Sequence, residues 1–296
     1  MKVMWTGHGG LLFVSGKNKV LIDPYLSNTL RLIDWSFTRR KRIKRRLFAL
    51  KPDVVAITSS QIDRNDWKTI IRIAQGPFWF LGKFNFFYKF SKYRPTILSS
   101  KLSYWNNVKH LTYLKRSPFT MFKPGLEWSL GDMTIKAVTA ITSDHSAYGL
   151  IITDNEDGKK YYVASNTLYS EELINSLPKD IFAAFIPIGG MFGSMNVIDA
   201  TRFAKAINAE YSVPVQFGTI DRVNPEEFIV GNRIIPKIYK VIDFNTPGGP
   251  TVSNNGINIF FNEKTKWKRK KKDALPDDVK EIETDEAQVP AVIENK

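Results

Sequence analysis

A polar loop that directly follows a short apolar segment carries the residues of this chain best suited to chemistry. Residues 54–57 read Val-Val-Ala-Ile, and the loop after them contains Ser59, Gln61, Asp63 and Arg64. A short apolar run rich in β-branched residues predicts a buried strand. Because α/β proteins place binding and catalytic groups at the carboxyl ends of such strands, we expect a functional site in this loop.

The loop resembles the metal-binding loop of the metallo-β-lactamase superfamily, whose pattern after such a strand is Thr-His-x-His-x-Asp-His. Ser59 and Gln61 stand where two of the histidines belong. Asp63 matches the aspartate, and Arg64 replaces the last histidine. One of the four ligands of this motif is therefore kept.

Other landmarks of the superfamily follow in order along residues 1–262. Residues 4–26, with Gly-His and Ile-Asp-Pro, resemble the opening hairpin of the branch that includes ascorbate-phosphate lactonases and N-acyl-phosphatidylethanolamine phospholipase D. His145 is similar to the third-motif histidine, Asn166 stands in the place of the bridging aspartate, and Gln216 in that of the last histidine. The resemblance implies an α/β protein with the four-layer αββα sandwich, and the alternation of strand and helix patterns agrees with it.

The dinuclear zinc site that the resemblance implies requires five histidines and two aspartates. This chain has three histidines and no cysteine, and the pattern keeps only Asp63 and His145 among the ligand positions. Glutamine and asparagine are weak zinc ligands, and Arg64 places a permanent positive charge at the site. We therefore expect no metal and no cofactor, with Arg64 paired to Asp63. His8 is not a core ligand in the related families, and we expect it to be a packing residue.

Three functions stay open, and the first is the leading expectation. In the first, the protein has lost metal-dependent hydrolase activity and acts as a binding or regulatory protein for an unknown small molecule. Its binding residues would be the polar side chains at former ligand positions: Ser59, Gln61, Arg64, Asn166 and Gln216. In the second, it is a divergent hydrolase of a phosphate-containing or lactone substrate, in which Arg64 holds the anion and Asp63 and His145 move protons. Whether the protein is an enzyme stays open.

The third function is binding of nucleic acid or of an anionic membrane through clusters of basic residues. The chain has a net charge of +14. One run, from Arg39 to Arg46, has seven basic residues in eight, and another, from Lys266 to Lys272, has six in seven. Polyanions should be attracted to such runs. The alternative is that the basic residues are a solvated face that serves solubility.

The remaining organisation follows from composition. Residues 1–262 predict one domain, and residues 263–296 predict a disordered charged tail because apolar periodicity is weak there. Residues 77–90 hold eight aromatic side chains, which predict either a lipid-facing or substrate-covering flap or interior packing. The absence of cysteine and of a long apolar run predicts a cytoplasmic protein that can lie on a membrane surface. The oligomeric state stays open.

Apolar periodicity predicts the elements that carry the site. Strands are predicted at residues 11–14, 20–22, 54–57, 133–141, 149–153, 160–164, 181–188 and 212–216. Helices are predicted at residues 28–50, 67–74, 170–177 and 197–207. Residues 96–141 predict short strands and turns.

Overall fold

The computed structural model describes residues 1–75, 93–108 and 117–253. The described residues form two sheets of eight and six strands. The predicted aromatic flap at residues 77–90 and the predicted tail at residues 263–296 lie outside the described residues, so both stay predictions.

The first sheet contains the opening hairpin and the strand before the site loop. Its strands are β1 (Lys2–Gly7), β2 (Gly10–Ser15), β3 (Asn18–Ile22), β4 (Val54–Ile57), β5 (Thr96–Ser99), β6 (Phe119–Met121), β13 (Val241–Asp243) and β14 (Thr251–Ser253). Their order is β14-β13-β1-β2-β3-β4-β5-β6, and β3 to β6 run parallel to one another. The site loop therefore leaves the carboxyl end of a central parallel strand.

The second sheet brings the later polar segments to strand ends. Its strands are β7 (Glu127–Leu130), β8 (Met133–Thr139), β9 (Tyr148–Asp154), β10 (Lys160–Val163), β11 (Ile181–Pro187) and β12 (Tyr211–Val215), in the order β12-β11-β10-β9-β8-β7. The strands β10, β11 and β12 are parallel, so their carboxyl ends share one edge. Asn166 follows β10 and Gln216 follows β12 at that edge.

Helices of the described part are α1 (Trp67–Gln75), α2 (Lys101–Val108), α3 (Glu171–Ser176) and α4 (Val197–Ile207). Ser170 caps α3 by accepting from the Leu173 amide, and Asn196 caps α4 by accepting from the Asp199 amide. Among these described helices, none is long and apolar enough to cross a membrane.

Two element predictions need correction. The helix predicted at residues 28–50 is wrong, because this segment forms three short 3-10 turns at Thr29–Leu32, Trp35–Phe37 and Arg45–Ala49. Repulsion within the basic run disfavours a continuous helix there. Within residues 96–141, which predict strands and turns, Lys101–Val108 is helical. Its apolar side chains lack a helical stripe, so periodicity could not reveal it.

Aromatic side chains join the two sheets. Phe13 of β2 lies with its ring centroid 5.3 Å from that of Phe185 of β11 and 6.1 Å from that of Tyr161 of β10. All three side chains are fully buried. The edge-to-face geometry adds to their hydrophobic burial. This packed interior between two sheets, with helices outside them, confirms the predicted α/β sandwich.

We expect Phe13→Ala to lower the free energy of unfolding by about 3–5 kcal/mol, because it removes a buried ring that contacts both sheets. Urea unfolding should show a lower midpoint with an unchanged slope. The control is Ile229→Ala, since Ile229 is exposed and its loss should change stability by less than about 0.5 kcal/mol. Equal effects of the two substitutions would contradict this account of the interior.

Candidate functional site

A buried arginine lies at the centre of the site. The Arg64 side chain is only 1% exposed. Its Nη2 and Nε donate to Asn166 Oδ1 at 2.6 and 2.8 Å, and Nη2 also donates to Gln216 Oε1 at 3.2 Å. Two carboxylates balance its charge: Asp23 Oδ2 lies 3.4 Å from Nη1, and Asp63 Oδ2 lies 3.4 Å from Nε. Nη1 also donates to Asp23 Oδ2, and Asp63 balances the charge as an ion pair.

Gly9 makes room for this guanidinium. A Cβ atom at Gly9 would lie 1.5 Å from Arg64 Nη1, which is far inside van der Waals contact. Gly9 is therefore required by the close approach of the Arg64 side chain rather than by a turn.

Asp63 is held by partners that are all buried. It accepts from Asn166 Nδ2 at 3.1 Å and from His8 Nε2 at 3.2 Å. Burial lowers the pKa of His8, and the hydrogen bond from the ring to Asp63 opposes that effect only in part. A neutral His8 that donates from Nε2 has an unprotonated Nδ1, and Nδ1 has no partner among the described residues.

The geometry separates the two residues predicted to move protons together. Asp63 is fully buried beside His8 and Arg64, whereas His145 is exposed on a different loop. No hydrogen bond joins Asp63 to His145 in the described part of the chain. A direct acid-base pair of Asp63 and His145 is therefore not formed, and His8, which was expected only to pack, is the histidine that contacts Asp63.

Asp23 has a larger part in the site than the sequence indicates. It accepts from the Thr58 amide at 2.7 Å and from the Thr58 hydroxyl, which also contacts the Ser165 hydroxyl. Burial raises the pKa of Asp23 to about 6, although the charge of Arg64 and the Thr58 hydrogen bonds oppose that rise. The loop after β4 is thereby tied both to the opening hairpin and to the segment after β10.

Strained backbone accompanies these contacts. His8, Asp23, Ser165 and Gln216 have φ values of 53°, 42°, 61° and 61°. A positive φ is uncommon for residues other than glycine, and such residues cluster at functional sites because the surrounding contacts must hold them. Here all four make or adjoin the hydrogen bonds around Arg64.

A second cluster lies beside the first and opens to solvent. A pocket of about 520 Å³ is lined by Ser60, Gln61, Leu102, Ser143, Asp144, His145 and Ser146. Asp144 organises its wall: it accepts from Ser59 Oγ at 2.8 Å, Ser60 N at 2.7 Å and Ser146 Oγ at 2.6 Å. Ser59 thus belongs to this cluster rather than to the network of Arg64.

Asp144 keeps a negative charge in the pocket. Burial alone would raise its pKa, but hydrogen bonds from Ser146, Ser60 and Ser59 outweigh burial and lower the pKa to about 2. The carboxylate is therefore ionised throughout the physiological range. His145, the neighbouring residue, presents an exposed imidazole to the same pocket.

Gln61 connects the two clusters. Arg64 determines the orientation of the Gln61 amide. Because Arg64 can only donate, Asn166 must direct its oxygen at Arg64 and its nitrogen away. Asn166 Nδ2 then donates to Gln61 Oε1 at 2.7 Å. The amide nitrogen of Gln61 has no acceptor among the described residues and belongs to a side chain that lines the pocket. The chain of hydrogen bonds thus fixes the Gln61 amide with its oxygen toward Asn166.

The residues at the centre do not fit a metal ion. The described residues contain no group of three or more His, Cys, Asp or Glu side chains placed to hold one. Both carboxylates there are engaged by Arg64, and the amide oxygens of Asn166 and Gln216 accept from the guanidinium. A guanidinium in contact with all four groups repels a cation and occupies the donors that zinc would need.

Comparison with known proteins identifies the fold. No protein-family model matches the sequence. A UPF0173 metal-dependent hydrolase from Pyrobaculum islandicum is 24% identical over 233 residues, which are 77% of this chain and 90% of the relative. The metallo-beta-lactamase fold protein YhfI from Bacillus subtilis is 20% identical with a TM-score of 0.56 over 80% of this chain and 95% of that protein. An isothiocyanate hydrolase from Delia radicum gut bacteria is 15% identical with a TM-score of 0.61 over 82% of this chain and 99% of that protein. The chain has the metallo-β-lactamase fold.

The leading functional expectation is wrong. A binding or regulatory protein that has lost hydrolase activity does not agree with relatives and structural neighbours that are named hydrolases. The comparisons favour the second function, a divergent hydrolase. The finer resemblance to the lactonase and phospholipase D-like branch stays a prediction.

We expect Arg64→Met to lower the free energy of unfolding by about 3–5 kcal/mol near neutral pH, because it leaves buried carboxylates without their partner. The loss should be smaller near about pH 4.5 than near about pH 8. Arg64 lowers the pKa of Asp23, so its removal lets Asp23 keep a proton to higher pH, and the penalty for the bare carboxylate appears as pH rises. Removal of Arg64 also relieves the repulsion that helps to lower the pKa of His8, which stabilises the variant at acid pH.

Urea unfolding of the variant and the original protein at the two pH values measures this difference. Arg202→Met is the matched control, since Arg202 is exposed and pairs with Asp199 at 3.7 Å. A stability loss for Arg64→Met that is independent of pH would show that charge balance is not what holds the centre together.

Proposed function

We propose that this protein of the metallo-β-lactamase fold is a hydrolase that cleaves an uncharged carboxylic ester or lactone in the pocket beside Asp144 and His145, using side chains in the place of a metal. The observation that carries the proposal is the position of Gln61. Its oxygen is held by the network of Arg64, which leaves its amide nitrogen as the donor of the side chain, and the Gln61 side chain lines the pocket that also contains the His145 side chain. A hydrolytic site needs an oxyanion donor and a proton acceptor together.

The charges around the pocket favour an uncharged substrate over a phosphate. The Asp144 carboxylate lines the pocket and stays ionised. Arg64, expected from the sequence to hold an anion, is buried and bonded to protein groups on every nitrogen. Among the described lining residues, His145 is the one that can carry a positive charge. A lactone or neutral ester avoids the repulsion that a phosphate would meet.

The reaction follows from these groups. The neutral imidazole of His145 takes a proton from a water molecule as the water oxygen bonds to the carbonyl carbon. The carbonyl oxygen becomes negative and accepts a hydrogen bond from Gln61 Nε2. The carbon–oxygen bond of the ester then breaks, and the imidazolium returns the proton to the leaving alkoxide. The products are a carboxylic acid and an alcohol, joined in one molecule when the substrate is a lactone.

Arg64 acts in this proposal as a positioning residue. Its charge orients Asn166, and Asn166 orients the amide of Gln61, whose side chain lines the pocket. A preorganised donor stabilises developing charge without a cost of reorientation at the moment of reaction. The buried network and the open pocket are thus two parts of one site.

The test is hydrolysis of three substrates by the full chain: a γ-lactone, a p-nitrophenyl ester and bis(p-nitrophenyl) phosphate. We expect turnover of the lactone or the ester and none of the phosphate diester. His145→Ala should lower kcat by about 10²–10⁴-fold. Glu172→Gln, on the exposed face of α3, is the control and should leave kcat unchanged. Turnover of the phosphate diester alone would overturn the substrate assignment, and full activity of His145→Ala would overturn the site.

We expect Gln61→Glu to lower kcat by about 10²–10³-fold with little change in KM, because the substitution removes the donor to the oxyanion and keeps the side-chain shape. Steady-state kinetics separates the two parameters. A rise in KM with kcat unchanged would mean that Gln61 binds the substrate and does not act on the transition state.

Elemental analysis tests directly whether the reaction requires a bound metal. We expect less than about a tenth of an equivalent of transition metal in active protein purified without chelator, and no loss of activity after treatment with a chelator. About one equivalent of zinc that is lost together with the activity would overturn the metal-free mechanism. It would leave the assignment as a hydrolase intact.

A further inference from the structure

Three large apolar side chains stand in solvent on the segment that follows the opening hairpin. Leu32, Ile33 and Trp35 are 75%, 58% and 72% exposed. They occupy the 3-10 turns Thr29–Leu32 and Trp35–Phe37 and the link between these turns. Exposed apolar residues that lie together mark surfaces that contact another molecule, whereas single ones need no explanation.

Basic side chains surround these apolar ones. The exposed basic residues of the same segment are Arg31, Arg40, Lys41, Arg42, Lys44, Arg45 and Arg46. The acid within residues 29–46 is Asp34, which accepts from the Ser36 amide at 2.7 Å. We call residues 31–46 with these exposed side chains the basic-apolar surface. Its partner must be negatively charged and must also accept apolar groups.

The backbone of this surface is fixed to the body of the protein. Arg39 points inward, where Nη1 donates to Tyr25 O at 2.6 Å and Nη2 donates to Tyr239 Oη at 3.2 Å. The amide of Arg40 donates to Thr219 O at 2.7 Å, and Tyr239 Oη donates to Arg42 O at 3.1 Å. One arginine of the run therefore anchors the loop, and its neighbours are presented outward on a preformed backbone, which reduces the entropy lost on binding.

We infer that the basic-apolar surface docks on an anionic membrane, with Leu32, Ile33 and Trp35 entering the interface and the basic residues contacting lipid phosphates. Aliphatic side chains gain free energy by leaving water for acyl chains, and each basic residue adds attraction to an anionic leaflet. Tryptophan is favoured at the level of the lipid headgroups because its ring is amphipathic.

Nucleic acid fits the same surface less well. Arg31 lies over the Trp35 ring with its guanidinium carbon 3.6 Å from the ring centroid, so one face of the ring is covered and not open to a base. Binding of single strands depends on aromatic faces on which bases stack. Leu32 and Ile33 offer no hydrogen bond to a base and no charge to a phosphate. The exposed aliphatic side chains therefore favour a membrane over a nucleic acid as the partner.

The docked surface lies next to the site loop. Leu30 packs in one small cluster with Tyr25 and Ile220, against which Ile62 of the site loop and Phe192 also pack. The Thr29 hydroxyl donates to Asp66 at 3.3 Å. The membrane contact is inferred from the surface alone and stands whether or not the pocket hydrolyses an ester.

The test is co-sedimentation of the full chain with phosphatidylcholine vesicles, with and without phosphatidylserine, at low and physiological salt. We expect binding only where phosphatidylserine is present, and weaker binding as salt rises. Arg40→Ala, Lys41→Ala and Arg45→Ala combined should lower the partition coefficient on the order of 100-fold. Leu32→Ser with Trp35→Ser should lower it at least about tenfold.

Matched substitutions elsewhere serve as controls in the same full chain. Ile198→Ser removes an apolar side chain that is 73% exposed on α4, and Lys205→Ala removes an exposed charge from the same helix. Both should bind vesicles as the original protein does, so a contribution from the basic run near the carboxyl end would cancel in the comparison. Unchanged vesicle binding of Leu32→Ser with Trp35→Ser would overturn the inference. Binding to single-stranded RNA that exceeds vesicle binding and survives those two substitutions would also overturn it.

Discussion

The pairing of one buried positive charge determines how the interior of this protein is arranged. A guanidinium removed from water is tolerated only when its donors are satisfied and its charge is balanced. Arg64 meets both conditions with the carboxylates of Asp23 and Asp63 and the amide oxygens of Asn166 and Gln216. These residues come from four separated segments, so the charge ties both sheets and the opening hairpin together. The polar residues around Arg64 are therefore suited to a guanidinium.

Local patterns predicted much of the fold. The strand Val54–Ile57, the helix Val197–Ile207 and the cap at Ser170 follow from apolar runs, helical spacing and capping chemistry, which act over a few residues. The segment at residues 28–50 could not be predicted this way, because Arg39 is anchored by Tyr25, which precedes the segment, and by Tyr239, which is distant in the sequence. Tertiary contacts override helix propensity where the local signal is weak.

The sequence predicted which residues form the site but not which of them contact one another. The sequence indicates that Arg64 lies near Asp63, and the structure agrees. It did not indicate that His8 contacts Asp63, because His8 reaches it through a left-handed backbone conformation that the residue type does not reveal. The role of Asp144 had a signal, since an aspartate two residues before a serine often accepts from that serine's amide. The Ser146 amide makes this contact at 2.9 Å. Ser59 and Ser60 contact the same carboxylate only because the fold brings their loop beside Asp144, which local sequence does not reveal.

The network also explains why the effects of substitutions among its residues should depend on one another. Arg64 turns the Asn166 amide, and Asn166 in turn sets the Gln61 amide, so a substitution at one of these positions changes the contacts of the others. Removal of Arg64 alone would leave two buried carboxylates and two amides without their common donor. Residues that share one hydrogen-bond network couple in their effects on stability, so the effects of single substitutions in this network should not add. The arginine and its amide partners therefore form one cooperative unit, in which the charge of Arg64 sets the orientation of Asn166 and, through it, of Gln61.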